Sequence, residues 1–249
     1  SIMRKVVHVG PCNAPGGMAT VMKTLAEHPP DGWEAELLAT YSSGGVWSKW
    51  KAYRSARRLL KRRLSKPSSV DVVHFHVASG WSWHRKARLV QQAHRHSMTV
   101  IIHLHSGALA SYLDSHPRHQ ARFHRLTRPA STVTVALNHY WKDRFTPHAK
   151  TVDVVPNPMP ANVNTQHEGR EDEHLLLLGR PDPIKGHDFA VDLVSVLRQT
   201  RPQLRLSMPG VERVDADGVE ALGWVSEKEK ERLLKTCSAL LVPSAYEGQ

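Results

Sequence analysis

Lys5-Val6-Val7-His8-Val9-Gly10-Pro11-Cys12-Asn13-Ala14-Pro15-Gly16-Gly17-Met18 is the stretch on which the fold class turns. Lys5–Gly10 is a short apolar run of strand character. Pro11 to Gly17 is punctuated by proline and glycine and reads as a loop. Met18, Val21, Met22, Leu25 and Ala26 then recur at helical spacing. Strand, glycine loop and helix in that order open a βα unit. The same grammar continues outward, with strand-like runs at Glu34–Thr40, Val70–Val77, Met98–Leu104, Thr132–Leu137 and Thr151–Val155. Strands separated by helical segments predict parallel sheets with helices on their faces, hence an α/β protein.

Pro156-Asn157-Pro158-Met159-Pro160 closes the first region, and the polar stretch after it carries four acids between Glu168 and Glu173. The spacing predicts a domain over 1–160, a linker over 161–173 and a second α/β domain over 174–249. In the second domain His174–Leu178, Leu204–Met208, Val219–Trp224 and Ala239–Pro243 read as strands. Asp188–Thr200 and Glu227–Thr236 read as helices. With few strands, and an end just after a strand-to-loop turn, this second domain is expected to be incomplete.

The 249 residues carry a net charge of +11. Residues 1–160 hold 23 Lys and Arg against 8 Asp and Glu, giving +15, and the remaining 11 cations against 15 acids give −4. A basic domain followed by a mildly acidic one suggests a polyanionic partner for the first part, a membrane surface or a nucleic acid. Hydrophobic residues are 40% of the chain, enough to build a core, so a mainly disordered chain is excluded. No apolar run approaches a membrane span, and the start lacks a signal-peptide core. Two cysteines, Cys12 and Cys237, make no disulfide framework, which points to a reducing cytoplasm. Cys237 lies in an apolar run and reads as a small core residue; Cys12 is near a candidate ligand loop, with nothing beside it to activate a thiolate.

Several short constellations are candidates for chemistry. Gly16-Gly17, between a strand and a helix, suits close backbone approach to a phosphate at a helix N-terminus, and suits a tight turn equally well. Gly179-Arg180-Pro181-Asp182-Pro183-Ile184-Lys185-Gly186 follows a strand of four leucines. Arg180 and Lys185 in one strand-end loop fit a diphosphate, with a solvated loop as the plain alternative. It is not a Walker A loop, because Gly186 follows the lysine. Pro243-Ser244-Ala245-Tyr246-Glu247-Gly248 offers an acid and a glycine at a strand end, for sugar hydroxyls or for a surface turn. His74-Phe75-His76 and His103-Leu104-His105 each place two imidazoles on one strand face. With no cysteine or carboxylate beside them, neutral hydrogen-bonding imidazoles are expected rather than a metal site, at least one of each pair in the core. Asp215-Ala216-Asp217 reads as a solvated turn.

Taken in order, Gly16-Gly17, His105, Val155-Pro156-Asn157-Pro158, Gly179-Arg180 through Lys185-Gly186, Leu222-Gly223-Trp224-Val225, and Pro243-Ser244 through Glu247-Gly248 resemble glycosyltransferase family four. These are retaining enzymes with two Rossmann-like domains, the GT-B fold. The resemblance implies sugar transfer from a nucleotide diphosphate donor, UDP by family frequency, to a cell-envelope glycolipid or polysaccharide. It implies that Arg180 and Lys185 bind the donor diphosphate and neutralise the leaving group. Gly16 and Gly17 would cap that diphosphate, and His105 would face the donor sugar. Gly223, Trp224 and Val225 would lie near the base. Glu247, followed by Gly248, would be the first acid of the family's paired-glutamate motif, whose second acid lies beyond Gln249. Pro158 stands where the family usually has glycine. No cofactor and no metal are implied, since the nucleotide-sugar is a substrate.

Residues 47–66 contain nine Lys or Arg and no acid, with Trp47, Trp50, Tyr53, Ala56, Leu60 and Leu64 recurring every three or four positions. This is a basic amphipathic helix. Trp50, Arg57, Arg58, Arg62 and Arg63 are the candidate contacts to an anionic membrane surface or acceptor; a domain helix with its cations in water is the alternative. The expected location is the cytoplasm, peripheral on the inner membrane face. Two other classes stay open: a noncatalytic GT-B fragment, and a basic nucleic-acid-binding α/β protein, for which no zinc-finger, RRM or homeodomain signature is present.

Overall fold

A computed structural model describes residues 3–66, 69–78, 80–159 and 169–245. These fall into two compact units, one on each side of the gap at 160–168. The first is built on a six-stranded parallel sheet. Its strands are β1 (Arg4–Gly10), β2 (Trp33–Ala39), β3 (Val72–Val77), β4 (Thr99–Leu104), β5 (Thr132–Ala136) and β6 (Val152–Val154). Their order is β2-β1-β3-β4-β5-β6, so the chain steps outward one way from β1 to β2 and the other way from β3 to β6. The switch point lies between the carboxyl ends of β1 and β3, the position where open α/β sheets bind ligands.

Strand alternation explains the core of this unit. Val7, Val9, Val73, Phe75, Val77, Val100, Ile102 and Leu104 point to one face and are buried together. Helices cover them: α2 (Val46–Leu64) with Tyr53, Ala56 and Leu60, and α3 (Gly80–Arg95) with Trp83, Ala87 and Val90. Further cover comes from α4 (Ala108–Ser115) with Leu109 and Leu113, and α5 (Pro117–Thr127) with Phe123 and Leu126. α1 (Gly17–Glu27) follows β1, and α6 (His139–Phe145) precedes β6. The Asn138 side chain caps α6, accepting from Trp141 N at 3.0 Å. Helical segments between these strands are expected from the sequence, but without bounds for α3 to α6. In α3, α5 and α6 the buried positions are interleaved with His and Arg, which blurs the apolar period.

The second unit carries β7 (His174–Leu176), β8 (Arg205–Pro209), β9 (Val219–Gly223) and β10 (Ala239–Leu240), in the order β10-β7-β8-β9, all parallel. α7 (His187–Leu197) and α8 (Glu227–Thr236) complete it. Leu175 and Leu177 pack on one face with Leu206 and Met208; Leu176 packs on the other with Leu233 and Cys237. The expected Ala239–Pro243 strand pairs only over Ala239–Leu240, and the expected His174–Leu178 strand only over His174–Leu176. Glu171, read from sequence as linker, is tied into this unit: its N–H donates to Thr236 O at 2.7 Å, and its carboxylate pairs with Arg205. The switch point of this sheet lies between β7 and β10.

Candidate functional site

In the second unit the sequence-marked loops gather at the carboxyl ends of the strands. Gly179–Gly186 leaves β7, passes a 3-10 turn at Pro183–Lys185 and enters α7. Asp182 fixes the turn by accepting from Ile184 N at 3.1 Å. Pro243–Ala245 follows β10, and Ala245 N donates to Ile184 O at 2.8 Å. The loops of the two switch-point strands are thereby joined. Gly186 is what lets them approach. Its φ of 71° is left-handed, and a Cβ there would stand 2.5 Å from Pro243 O. His187 Nε2 lies 3.3 Å from Gly179 O, holding the start of the loop to the start of α7.

Arg180 is exposed, and Lys185 is half-buried beside Pro243 and Ser244. Both cations therefore stand on the same strand-end loop. Gly223 ends β9 with a left-handed φ of 60°, and its N–H donates to Val211 O at 2.8 Å. Trp224 beside it is 61% exposed, and Val225 is half-buried. Glu247 and Gly248 lie outside the described residues. Asp217 is exposed and ion-paired with Arg198 at 2.9 Å.

In the first unit Gly16 precedes α1 with a φ of 126°, a conformation open to glycine, and nothing lies within 4 Å of where its Cβ would be. Gly17 opens the helix. The first turn of α1 has no side-chain cap and no acid, and Ala19 N donates back to Gly16 O at 3.1 Å.

The same sheet carries a feature only half legible in the sequence. His74 and His76 of β3, and His103 of β4, alternate with the core residues and point to the opposite face, as does His105 just past β4. His8 of β1 stands in register with His74 and joins them. Ring nitrogens meet at 3.1 Å (His8 Nδ1 to His76 Nε2), 2.9 Å (His76 Nδ1 to His105 Nε2) and 3.2 Å (His74 Nε2 to His103 Nδ1). Burial holds His8 down to about 4. Burial, and then the charge of His8, does the same for His103, also to about 4. His105 is pushed down to about 2 by burial, then by His103 and Lys86. His74 and His76 fall well below the usual imidazole value, chiefly by burial. All five rings are neutral at pH 7. The buried Lys86 ammonium is itself lowered to about 7, by burial and then by Arg85, and donates to Ser82 Oγ at 2.7 Å. The paired His-x-His motifs marked four of the five imidazoles. His8 escaped notice because a lone histidine in a strand carries no motif; the pairing of β1 with β3 supplies its role.

Helix α2 differs from its expected apolar stripe. Tyr53, Ala56 and Leu60 are buried against the sheet, whereas Trp47 is 75% and Trp50 45% exposed. The two tryptophans meet edge to face at 5.8 Å, and the Arg54 guanidinium lies 4.7 Å over the Trp50 ring. Trp50, Lys51, Arg54, Arg58 and Arg62 line a shallow groove of about 530 Å³ together with Ser55 and Leu59. Arg57 and Arg63 are exposed outside it, and Arg63 pairs with Glu36 at 3.0 Å. Among the described residues no helix is long and apolar enough to cross a membrane.

The sequence matches no family model and no curated protein. The fold does have solved neighbours. TarM has a TM-score of 0.57 at 13% identity, over 78% of this chain and 41% of TarM. An alpha-glucosyltransferase in complex with UDP and a 13-mer DNA containing a central A:G mismatch has a TM-score of 0.59 at 12% identity, over 96% of this chain and 70% of that one. The chain thus spans about two-fifths of the length of TarM. At these identities the likeness is one of fold. The architecture is α/β with two Rossmann-like parallel sheets, the fold class expected from the sequence and shared with a glycosyltransferase.

Proposed function

We propose that the chain is a retaining glycosyltransferase of the GT-B class, related to family four, that moves a sugar from a nucleotide diphosphate donor, UDP-linked, to a cell-envelope glycolipid or polysaccharide. The observation that carries this is the joining of the Gly179–Gly186 and Pro243–Ala245 loops at the switch point of the second sheet, with Arg180 and Lys185 on them. Ligands of open α/β sheets bind at that position. The fold shared with a glycosyltransferase held with UDP supports the same choice.

In this reading Arg180 and Lys185 hold the diphosphate. As the glycosidic bond breaks, negative charge grows on the leaving phosphate while the sugar becomes oxocarbenium-like. Cations fixed at that oxygen stabilise the transition state more than the ground state. The departing phosphate takes the acceptor's hydroxyl proton, and sugar transfer needs no metal. The resemblance to family four assigns Gly16 and Gly17 to the diphosphate and His105, a neutral imidazole, to the donor sugar. Gly223, Trp224 and Val225 sit by the base; Glu247 and Gly248 hold sugar hydroxyls. The exposed Trp50, Arg57, Arg58, Arg62 and Arg63 dock on an anionic membrane face, which makes the protein peripheral on the cytoplasmic side.

Calorimetric titration with UDP, in the presence of a chelator, tests the donor site. Binding is expected, and Arg180→Ala and Lys185→Ala are each expected to weaken it at least tenfold, since a charge-assisted bond contributes about 1.5–3 kcal/mol. A chain that ignores UDP yet binds DNA tightly and with steep salt dependence would establish the second reading, a nucleic-acid partner. One observation favours that reading: the alpha-glucosyltransferase of similar fold is seen with DNA as well as UDP.

A further inference from the structure

The five imidazoles of the first sheet are arranged in a pattern that hydrogen bonding alone leaves unfinished. Two adjacent parallel strands each contribute a His-x-His pair, and the period of two puts all four rings on one face. One nitrogen each from His76, His103 and His105 lie within 4.8 Å of one another. The closest pair, His76 Nδ1 and His105 Nε2, is at 2.9 Å. Nitrogen ligands of a tetrahedral zinc ion, bound at about 2.0–2.1 Å, stand about 3.3 Å apart. Rotamer adjustments of about an ångström suffice to converge the three on one ion.

The remaining nitrogens of two of these rings are already held in the way metal ligands require. A ligating histidine characteristically donates its other N–H to a fixed acceptor, which sets the tautomer and the ring plane. His76 has its Nε2 against His8 Nδ1 at 3.1 Å, leaving Nδ1 to ligate. His103 has its Nδ1 against His74 Nε2 at 3.2 Å, leaving Nε2. That His103 Nε2 is buried and completes no hydrogen bond of good geometry, although the Val155 backbone acts on the ring. A buried nitrogen so weakly partnered is unfavourable, and a bound ion would offset that cost. His8 and His74 are therefore outer partners, and the three inner rings are ligands.

We propose that His76, His103 and His105 form a site for a divalent transition metal, zinc by preference, with His8 and His74 as the orienting shell. Three neutral imidazoles select a borderline ion over magnesium or calcium, which take oxygen ligands. Among the described residues no carboxylate or thiol joins the cluster. The ion would therefore keep its full charge and draw a water or a small anion to a fourth position. His105, half-buried past the end of β4, is where that position would open. This proposal does not rest on sugar transfer: zinc binding is read without nucleotide, and UDP binding with a chelator, so either claim can fail alone.

The test uses the whole chain after chelator treatment. Zinc is titrated by calorimetry, and cobalt(II) by its visible absorption. One zinc ion per chain is expected with a dissociation constant below about 1 μM, and cobalt is expected to give the intense bands of a four-coordinate ion. His76→Gln and His103→Gln should each weaken zinc at least a hundredfold. His74→Ala should weaken it about 10–100-fold by freeing the His103 ring. His96→Gln, at an exposed histidine outside the cluster, should change nothing. No zinc binding by the unsubstituted chain would overturn the proposal. So would affinity unchanged in His103→Gln, or a weak six-coordinate cobalt spectrum. If circular dichroism shows that His76→Gln does not fold, His103→Gln and the cobalt spectrum decide.

Discussion

In the first unit one sheet face packs Val, Ile, Leu and Phe while the other carries five imidazoles; in the second unit aliphatic side chains line both faces. His174, a buried imidazole of the second unit, hydrogen-bonds Ser207 at 2.9 Å and meets the Glu171 carboxylate at 3.1 Å, and among the described residues it joins no imidazole cluster. The parallel α/β topology is the same in kind, so topology does not demand the imidazoles. Neutral rings on a sheet face need hydrogen-bond partners and favour no particular fold. They set the first unit apart as the one whose sheet carries a cluster of polar rings on one face. In the second, the buried polar side chains on the strands, among the described residues, are the paired His174 and Ser207.

Acid is the strongest way to break that contrast. His8 and His103 are each held down to about 4 in the folded chain, against an ordinary value of 6.5. Protons therefore bind the unfolded chain first. The stability due to these rings is complete above about pH 6.5 and is lost as the pH falls toward 4. The two rings are coupled, since the charge of His8 adds to the lowering of His103, and together they remove on the order of a few kcal/mol, a large share of a domain's stability. Hydrogen exchange read by mass spectrometry, with chelator present, should show β1, β3 and β4 opening near pH 4 before β7 and β8. Simultaneous opening of both sheets would erase the distinction.

A smaller effect is expected from charge reversal in the first unit. Changing Arg57, Arg58, Arg62 and Arg63 to Glu should lower binding to anionic vesicles by at least about a thousandfold, since losing each cation near the surface alone costs about 1 kcal/mol. UDP affinity should stay as it was. Flotation with vesicles containing phosphatidylserine checks this; unchanged binding would return α2 to the role of an ordinary packing helix. The smallest expected change is in the second unit. Gly186→Ala forces a left-handed residue to carry a Cβ 2.5 Å from Pro243 O. A cost of about 2–3 kcal/mol follows from the backbone and the overlap together. Thermal melting of the second unit should fall and UDP binding should weaken, while zinc affinity should not move.

Much of this organisation was legible because it rests on local rules. Lys5–Gly10, Thr132–Leu137 and Glu227–Thr236 fall on strands and a helix at nearly those bounds, since period and glycine punctuation are properties of short segments. The Gly179–Gly186 loop was visible for the same reason. Helix α2 was legible as a helix but not in its orientation. Trp47 and Trp50 fit the apolar period of Tyr53 and Ala56, yet they lie beyond the edge of the sheet-covered face and stay in solvent. His8 was hidden, because its partner His76 is 68 residues away.

The sequence by itself determined the alternation of strands and helices, the break near residue 160, the split of charge into +15 and −4, and the places of Arg180 and Lys185 after a leucine strand. Each follows from side-chain chemistry read over a few neighbours or summed along the chain. Only the tertiary structure decided which strands pair. That choice put Ala245 against Ile184 and set the imidazoles of β1, β3 and β4 within bonding distance of one another. Parallel pairing joins residues across long crossovers, so the contacts it makes depend on the packing of whole helices and leave no trace in any single stretch of sequence.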